Sequence, residues 1–98
     1  MNNTNNDWLV YIVECVDATL YTGITNDLER RIGQHNAGVG AKYLRGRIPV
    51  KPVYLETGHD RSSASKREVS IKSLNRQHKL ELIRSSTNEL VNSEVSLR

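Results

Sequence analysis

The fold is decided by residues 8–15, which read WLVYIVEC. Aromatic, aliphatic and β-branched side chains fill this run, a pattern typical of a central β-strand. A short polar turn at 17–19 separates it from a second strand-like run at 20–24. Two strands so closely spaced predict an antiparallel hairpin, to which the other predicted elements are added.

Capping residues, glycines and one proline divide the rest of the chain. Residues 25–27 are good N-cap residues, and Pro52 favours the start or an edge of a third strand. The predicted elements are a helix to about His35, a glycine-rich mobile loop at 36–47, a strand at 50–57, a helix from an Asp60 or Ser62 cap to about Asn75, and a helix at 77–85. This order, β-β-α-β-α-α, predicts an α+β fold in which helices flank a three-stranded antiparallel sheet.

The predicted domain covers residues 8–84, with flexible tails at 1–7 and 85–98. With 98 residues, the chain has the length of one compact domain. The spacing of apolar residues along the strands and helices predicts where its core lies. The expected core residues are Leu9, Tyr11, Val13, Leu20, Leu28, Ile32, Val53, Leu55, Ile71 and Leu74.

The composition bears on where such a chain resides. No apolar run approaches the ~20 residues that a membrane-spanning helix needs. Residues 1–7 are polar and lack the basic-then-apolar order of a signal peptide. The single cysteine, Cys15, cannot form an internal disulfide, and its apolar surroundings favour a small buried hydrophobe over a reactive thiol. We therefore expect a cytoplasmic protein with no membrane partner.

Charge is distributed unevenly along the chain. Residues 30–84 contain 13 of the 14 Lys and Arg residues, and residues 1–29 contain none. Basic charge concentrated in this way indicates a positively charged surface that faces a polyanion. A solvated face that serves solubility is the alternative, and charge alone does not decide between them.

One acidic residue interrupts an apolar stripe on the second predicted helix. Ala64, Glu68 and Ile71 are spaced i, i+4 and i+7, so they share one face. A carboxylate is costly to bury unless it is paired or bound to a cation. Glu68 therefore either forms a salt bridge with Lys72 or Arg67 or binds a metal ion.

Arg31 and His35 are spaced i, i+4 on the first predicted helix, and Tyr11 and Tyr21 lie one on each hairpin strand. An arginine and a histidine on one face can hold a phosphate, with the histidine as a donor or proton carrier. The alternatives are an exposed charge, a histidine that stabilises the helix C-terminus, and two ordinary core tyrosines.

The spacing of these residues resembles the GIY-YIG endonuclease family. Tyr11 and the triplet at 21–23 match the two halves of the family signature, and Arg31, His35 and Glu68 follow in the matching order. Small stand-alone bacterial members provide the best match, since they carry Gly-x-Gly-Ala-Lys-Tyr after the first helix, as residues 38–43 do here. The resemblance covers residues 8–84 and agrees with the predicted order of elements.

The resemblance implies a role for each of these residues. Glu68 would bind one divalent ion, Mg²⁺ or Mn²⁺, and Arg31 would stabilise the charge of a pentacovalent transition state. Tyr11 would take the proton from the attacking water, while Tyr21 and His35 would orient water and phosphate or share the proton transfer. Gly23 completes the signature as a structural residue. The residues expected to contact the sugar-phosphate backbone of the nucleic acid are Lys42, Tyr43, Arg45, Arg47 and Lys72.

The sequence departs from the family pattern at three points. Leu9 and Val10 replace the glycine and isoleucine of the first signature half, and both are compatible with a strand. The family also carries an asparagine near the end of the domain, for which Asn75 is the nearest candidate, although its spacing from Glu68 matches poorly. We expect no second domain that selects a target, so the protein would recognise DNA shape, act with little specificity or depend on an unknown protein partner.

Three functions follow from these observations. The first is a metal-dependent endonuclease that hydrolyses DNA, structure-directed or weakly specific, in repair or recombination. The second is a non-catalytic nucleic-acid-binding module, because a fold does not guarantee its family's activity. The third is a protein-interaction role in which the basic face meets an acidic partner, and steep salt dependence of nucleic-acid binding would argue against it.

Overall fold

A computed structural model describes residues 7–90, which form a three-stranded sheet and three α-helices. The strands are β1 (Trp8–Glu14), β2 (Leu20–Thr25) and β3 (Lys51–His59). β1 lies in the middle of the sheet and pairs antiparallel with both neighbours, so that the strand order is β2-β1-β3. The predicted α+β fold, with helices flanking a three-stranded antiparallel sheet, is confirmed.

A side-chain cap begins each of the three α-helices. The helices are α1 (Leu28–Asn36), α2 (Arg61–Lys72) and α3 (Arg76–Arg84). Asp27, Asp60 and Asn75 each accept a hydrogen bond from a backbone N–H of the first turn that follows. The prediction that the second helix extends to about Asn75 was therefore wrong. Helix α2 ends at Lys72, and Asn75 is the N-cap of α3.

Helices cover both faces of the sheet, which divides the apolar core into two clusters. The cluster beneath α2 and α3 has the buried members Val10, Ile12, Tyr54, Ala64 and Ile71. The cluster beneath α1 has the buried members Tyr11, Val13, Cys15, Leu44 and Val50. Alternate side chains of the central strand enter opposite clusters, as a pleated strand requires. The buried position of Cys15 confirms its predicted role as a small hydrophobe.

The predicted core was incomplete because it took one face of the central strand to be the buried one. Val10 and Ile12 are fully buried alongside Tyr11 and Val13. Several expected core residues are only partly buried, namely Leu9, Leu20, Leu28, Ile32, Val53, Leu55 and Leu74.

The segment 36–47, predicted as a mobile loop, has ordered contacts with the α1 side of the sheet. It contains a 3-10 helix at Lys42–Leu44, and the Leu44 side chain is buried in the core. Asn36, at the end of α1, exchanges two hydrogen bonds with the backbone of Val50. These contacts hold the segment against the sheet, and the prediction of mobility did not anticipate them.

Ordered structure continues past residue 84, where the predicted domain ended. Asn88 is fully buried: its side chain accepts from Leu55 N–H and donates to the carbonyl oxygens of Val53 and Ile83. The segment 85–90 therefore joins α3 to β3, and its assignment to a tail was wrong. The remaining predicted tail residues, 1–6 and 91–98, lie outside the described part of the chain.

Candidate active site

Tyr11 extends across the neighbouring strand because Gly23 leaves room for it. The two residues are partners in the β1–β2 register. A Cβ atom at position 23 would lie 2.5 Å from the Tyr11 hydroxyl oxygen and 2.7 Å from Cζ, so the phenol occupies the space a side chain would fill. The glycine of the signature therefore has a steric role, which is to let the Tyr11 hydroxyl cross β2.

His35 of α1 contacts the Tyr11 hydroxyl. The Nε2 atom lies 2.8 Å from Tyr11 Oη, and Nδ1 accepts a hydrogen bond of 3.2 Å from the backbone N–H of Ala41. A neutral imidazole that accepts at Nδ1 carries its proton on Nε2. We therefore infer that His35 donates to the tyrosine oxygen, and the proton of the hydroxyl is left to point elsewhere.

A second glycine makes this histidine position possible. A Cβ atom at Gly40 would lie 2.9 Å from both the backbone Cα and N of His35, and closer still to its Nδ1. Residues 38–43 thus fold back over the end of α1 and deliver the Ala41 N–H to the ring. In the sequence this glycine stands out only as part of a motif, and its close approach to His35 was not predicted.

Burial and the nearby arginine set the protonation of this pair. Burial raises the pKa of Tyr11 to about 12; hydrogen bonding to Arg31 opposes that rise, and the Glu68 charge adds to it. Burial lowers the pKa of His35, and the positive charge of Arg31 lowers it further. Both groups are therefore neutral near pH 7 in the free protein. Arg31 itself donates from Nη1 to Gln34 at 2.9 Å, which fixes its guanidinium on the same helix.

Glu68 projects from α2 toward the same site. Its charge acts on the Tyr11 phenol, and its Oε2 atom pairs with Lys72 Nζ at 3.3 Å. The side chain of Glu68 is 21% exposed and that of Lys72 is 50% exposed, so the pair lies at the protein surface. Of the two salt-bridge partners predicted for Glu68, the structure selects Lys72; Arg67 instead pairs with Glu56.

The site offers a metal ion one carboxylate. Within residues 7–90, no group of three or more His, Cys, Asp or Glu side chains is arranged to hold a metal. A hard cation such as Mg²⁺ retains several waters and often binds through one or two carboxylates together with substrate phosphate. Glu68, which is partly exposed and whose charge acts on Tyr11, fits that mode of binding.

A stack of rings and cations continues from the site across the surface. Tyr21 packs edge-on against His35 with 5.9 Å between ring centroids, and stacks on Tyr43 at 5.8 Å and 19°. Lys72 Nζ lies 5.7 Å from the Tyr21 ring centroid, and the Arg47 guanidinium carbon lies 4.4 Å from that of Tyr43. These alternating rings and cations connect the catalytic candidates with part of the predicted nucleic-acid surface.

The predicted residues fall into two groups in space. Tyr11, Tyr21, Arg31, His35 and Glu68 meet from four elements, β1, β2, α1 and α2. Of the predicted backbone contacts, Tyr43, Arg47 and Lys72 join the stack, whereas Lys42 and Arg45 are exposed on the 42–47 turn. Arg47 also pairs with Asp17, which the sequence analysis did not foresee. Helix α3, to which no site residue was assigned, adds Lys79 and Arg76 beside Tyr43.

The chain folds as a small α+β domain with a cluster of polar side chains around Tyr11, and comparison with known proteins assigns this domain to a nuclease family. Residues 7–81 match the GIY-YIG catalytic domain. The chain therefore belongs to the GIY-YIG family, as the sequence analysis predicted.

Relatives and solved structures extend this result. The chain is 55% identical to the UPF0213 protein DP2720 of Desulfotalea psychrophila over 80 residues, which cover 81% of this chain and 73% of that protein. It is also 55% identical to the UPF0213 protein HQ_3675A of Haloquadratum walsbyi, over 80% of this chain and 88% of that one. The solution structure of protein EF2693 of E. faecalis is 37% identical, with a TM-score of 0.55 over 86% of this chain and 88% of its own.

A second solution structure, of the UPF0213 protein BH0048 of Bacillus halodurans, is 42% identical, with a TM-score of 0.51 over 79% of this chain and 82% of its own. These similarities agree with the fold described above. None of the helices formed by residues 7–90 combines the length and apolar character needed to span a bilayer.

Proposed function

We propose that this protein is a metal-dependent endonuclease that hydrolyses phosphodiester bonds in DNA in the cytoplasm, structure-directed or weakly specific, in repair or recombination. The observation that carries the proposal is the convergence, from three elements, of the buried pair Tyr11 and His35 with the partly exposed side chains of Arg31 and Glu68. A base, a hydrogen-bond donor, a cation and a carboxylate are groups that can together catalyse hydrolysis of a phosphate diester.

Tyr11 is the proposed proton acceptor for the attacking water. Its hydroxyl must first lose its own proton to the solvent, and a pKa of about 12 makes the phenolate scarce near neutral pH in the free protein. The His35 Nε2–H and the Arg31 guanidinium both face the phenol oxygen and stabilise the anion that forms. His35 thus acts by holding and polarising Tyr11, and its occupied Nδ1 makes it a poor acceptor of the tyrosine proton.

Arg31 and Glu68 would act on the phosphate. The guanidinium presents a planar set of donors to the non-bridging oxygens, whose charge grows in the transition state. Glu68 would hold the divalent ion, Mg²⁺ or Mn²⁺, which when bound neutralises charge on the phosphate and the leaving oxygen. Lys72, now paired with Glu68, would then turn toward the nucleic-acid backbone, as its half-exposed side chain allows.

The test is a cleavage assay with the purified full-length chain. Supercoiled plasmid, single strands and branched duplexes are incubated with Mg²⁺, Mn²⁺ or a chelator. Glu68→Gln and Arg31→Ala are compared with controls that remove like charges from α3, Glu81→Gln and Arg84→Ala, both exposed positions. We expect metal-dependent cutting by the wild type and both controls, and a loss of at least about 100-fold in the two site variants. Equal activity of Glu68→Gln and wild type would overturn the proposal.

A non-catalytic nucleic-acid-binding module is the second candidate. The ion pair between Glu68 and Lys72 favours it, because it satisfies the carboxylate without a metal. A binding module would leave plasmid intact under every metal condition, while wild type, Glu68→Gln and Arg31→Ala would all still retard DNA. The same assay therefore separates the two functions.

A further inference from the structure

A surface pocket of about 410 Å³ lies beside the candidate active site, between β2, the 3-10 helix and helices α2 and α3. It is lined by Leu20, Tyr21, Thr22, Tyr43, Lys72 and Lys79. A smaller pocket of about 180 Å³ continues along α3, sharing Leu20, Tyr43 and Lys79 and adding Thr19 and Arg76. A continuous depression thus leads from Tyr21 along the face of α3.

The lining combines two kinds of chemistry. Leu20 and the two tyrosine rings form an apolar and aromatic wall, and the ammonium groups of Lys72 and Lys79 supply positive charge. Tyr21 also contacts His35, and Lys72 pairs with Glu68, so the pocket opens directly onto the candidate site. An aromatic wall with cations beside it suits a nucleotide, since bases and sugars pack on rings and phosphate attracts lysine.

Lys79 is the cation of this pocket whose charge is most available. Lys72 is paired with Glu68, and Arg47, on the far side of Tyr43, is paired with Asp17. Within the part of the chain that the structure describes, Lys79 forms no ion pair. Arg76, one turn before Lys79 on α3, donates to the backbone carbonyl of Ala18 at 3.1 Å and so ties this helix to the β1–β2 turn. Lys79 is therefore presented from an anchored helix.

We propose that this pocket binds one nucleotide of the nucleic-acid strand next to the phosphate that is cut. Lys79 contacts the phosphate of that nucleotide, and Leu20 with the two tyrosine rings contacts its sugar and base. The inference rests on the proposed function and deepens it, because it directs the bound strand from Tyr11 along α3 rather than over the 42–47 turn alone.

The test measures binding in the presence of chelator, so that no cutting occurs. A fluorescein-labelled single strand and a duplex of the same sequence are titrated with the full-length chain at several salt concentrations. Lys79→Gln is compared with Lys66→Gln, which removes the same charge from an exposed position on α2 outside the pocket. Thermal unfolding shows beforehand that both variants are folded.

We expect Lys79→Gln to weaken binding by about fivefold or more and to reduce the slope of log affinity against log salt by about 0.7 to 0.9, the value for one lost phosphate contact. Lys66→Gln should leave the slope unchanged. An effect on the single strand alone identifies an unpaired nucleotide as the ligand, and an equal effect on both identifies the backbone of a duplex. Identical affinities and slopes for the two variants would overturn the inference.

The cleavage assay distinguishes failure of the inference from failure of the proposed function. If wild type cuts DNA but Lys79→Gln behaves as Lys66→Gln in binding, the pocket assignment alone is wrong. If binding depends on Lys79 but no metal condition yields cutting, the pocket binds a nucleotide as inferred, while the nuclease proposal and the placement beside a cut phosphate are wrong. If the wild type does not bind nucleic acid at all, both are overturned.

Discussion

Gly23 lies opposite Tyr11 in the β1–β2 register, and a methyl group on Gly23 would lie 2.5 Å from the Tyr11 hydroxyl oxygen. The site depends on this relationship, because the phenol reaches His35 only by passing over the backbone of β2. Gly23→Ala should therefore displace the tyrosine. We expect a destabilisation of about 1–3 kcal/mol and a loss of cutting of at least about 100-fold, measured by urea unfolding and plasmid cleavage.

Gly33→Ala is the matched control for this substitution. Gly33 lies within α1, and a Cβ atom there meets nothing within 4 Å. A helical alanine should raise the free energy of unfolding by about 0.5–1 kcal/mol and leave cutting intact. If the Gly23→Ala and Gly33→Ala variants cut DNA equally well, the steric account of the signature glycine would be wrong.

The pKa of Tyr11 predicts the pH dependence of cutting. If the phenolate is the base and its pKa is about 12 in the free protein, kcat/KM should rise about tenfold per pH unit between about pH 7 and pH 9. The rise reflects the growing fraction of phenolate, since the pH range lies below the pKa. Tyr11→Phe should lose this dependence along with nearly all activity. A wild-type profile that is flat across this range would rule out Tyr11 as the base.

Much of the fold could be predicted from the sequence because its signals are local. The cap at Asp27, the hairpin spacing and the short apolar runs each lie within a few residues of the structure they specify. The buried even positions Val10 and Ile12 were missed, although a signal existed. Residues 8–13 contain only aromatic and aliphatic side chains and no charge, and such an uninterrupted run indicates a strand that is covered on both faces.

The residues of the candidate site could be predicted from the sequence more easily than the contacts between them. Spacing and the family resemblance pointed to Tyr11, Arg31, His35 and Glu68, and the structure brings them together. Nothing local could show that Gly40 closes on His35, or that Lys79 of α3 lies beside Tyr43, because these contacts depend on how distant elements pack. The same limit explains Asn88, whose partners at Val53 and Leu55 are more than 30 residues away.

Because His35 is buried in its neutral form, we expect the free energy of unfolding to fall on the acid side of neutrality. Its pKa is lowered from 6.5 by burial, so the unfolded chain binds a proton more readily than the folded one. The stabilisation is complete above about pH 6.5 and is lost as the pH falls through the folded-state pKa, by at most about 1.4 kcal/mol per pH unit. Urea unfolding at several pH values should therefore show that, below about pH 6.5, the free energy of unfolding falls less steeply with decreasing pH for His35→Gln than for wild type.

His78→Gln is the control for this measurement, because His78 is exposed on α3. The dependence of its free energy of unfolding on pH below neutrality should match that of the wild type, since the carboxylates that titrate in both proteins are the same. If His35→Gln and His78→Gln gave the same pH dependence, the buried neutral state assigned to His35 would be contradicted.

The buried hydrogen bonds of Asn88 indicate that the segment 85–90, after α3, contributes to stability. Asn88→Ala removes one acceptor and one amide donor group that together satisfy backbone groups of Leu55, Val53 and Ile83 in the interior. Leaving these groups unpaired and a small void in place of the side chain should lower the free energy of unfolding by about 2–4 kcal/mol. Glu89→Ala provides the comparison, because Glu89 bonds to Thr57 at the exposed surface, where losses of about 1 kcal/mol or less are expected. Similar effects of the two substitutions would show that burial of Asn88 adds little, and that the domain is held together by α3 and the sheet alone.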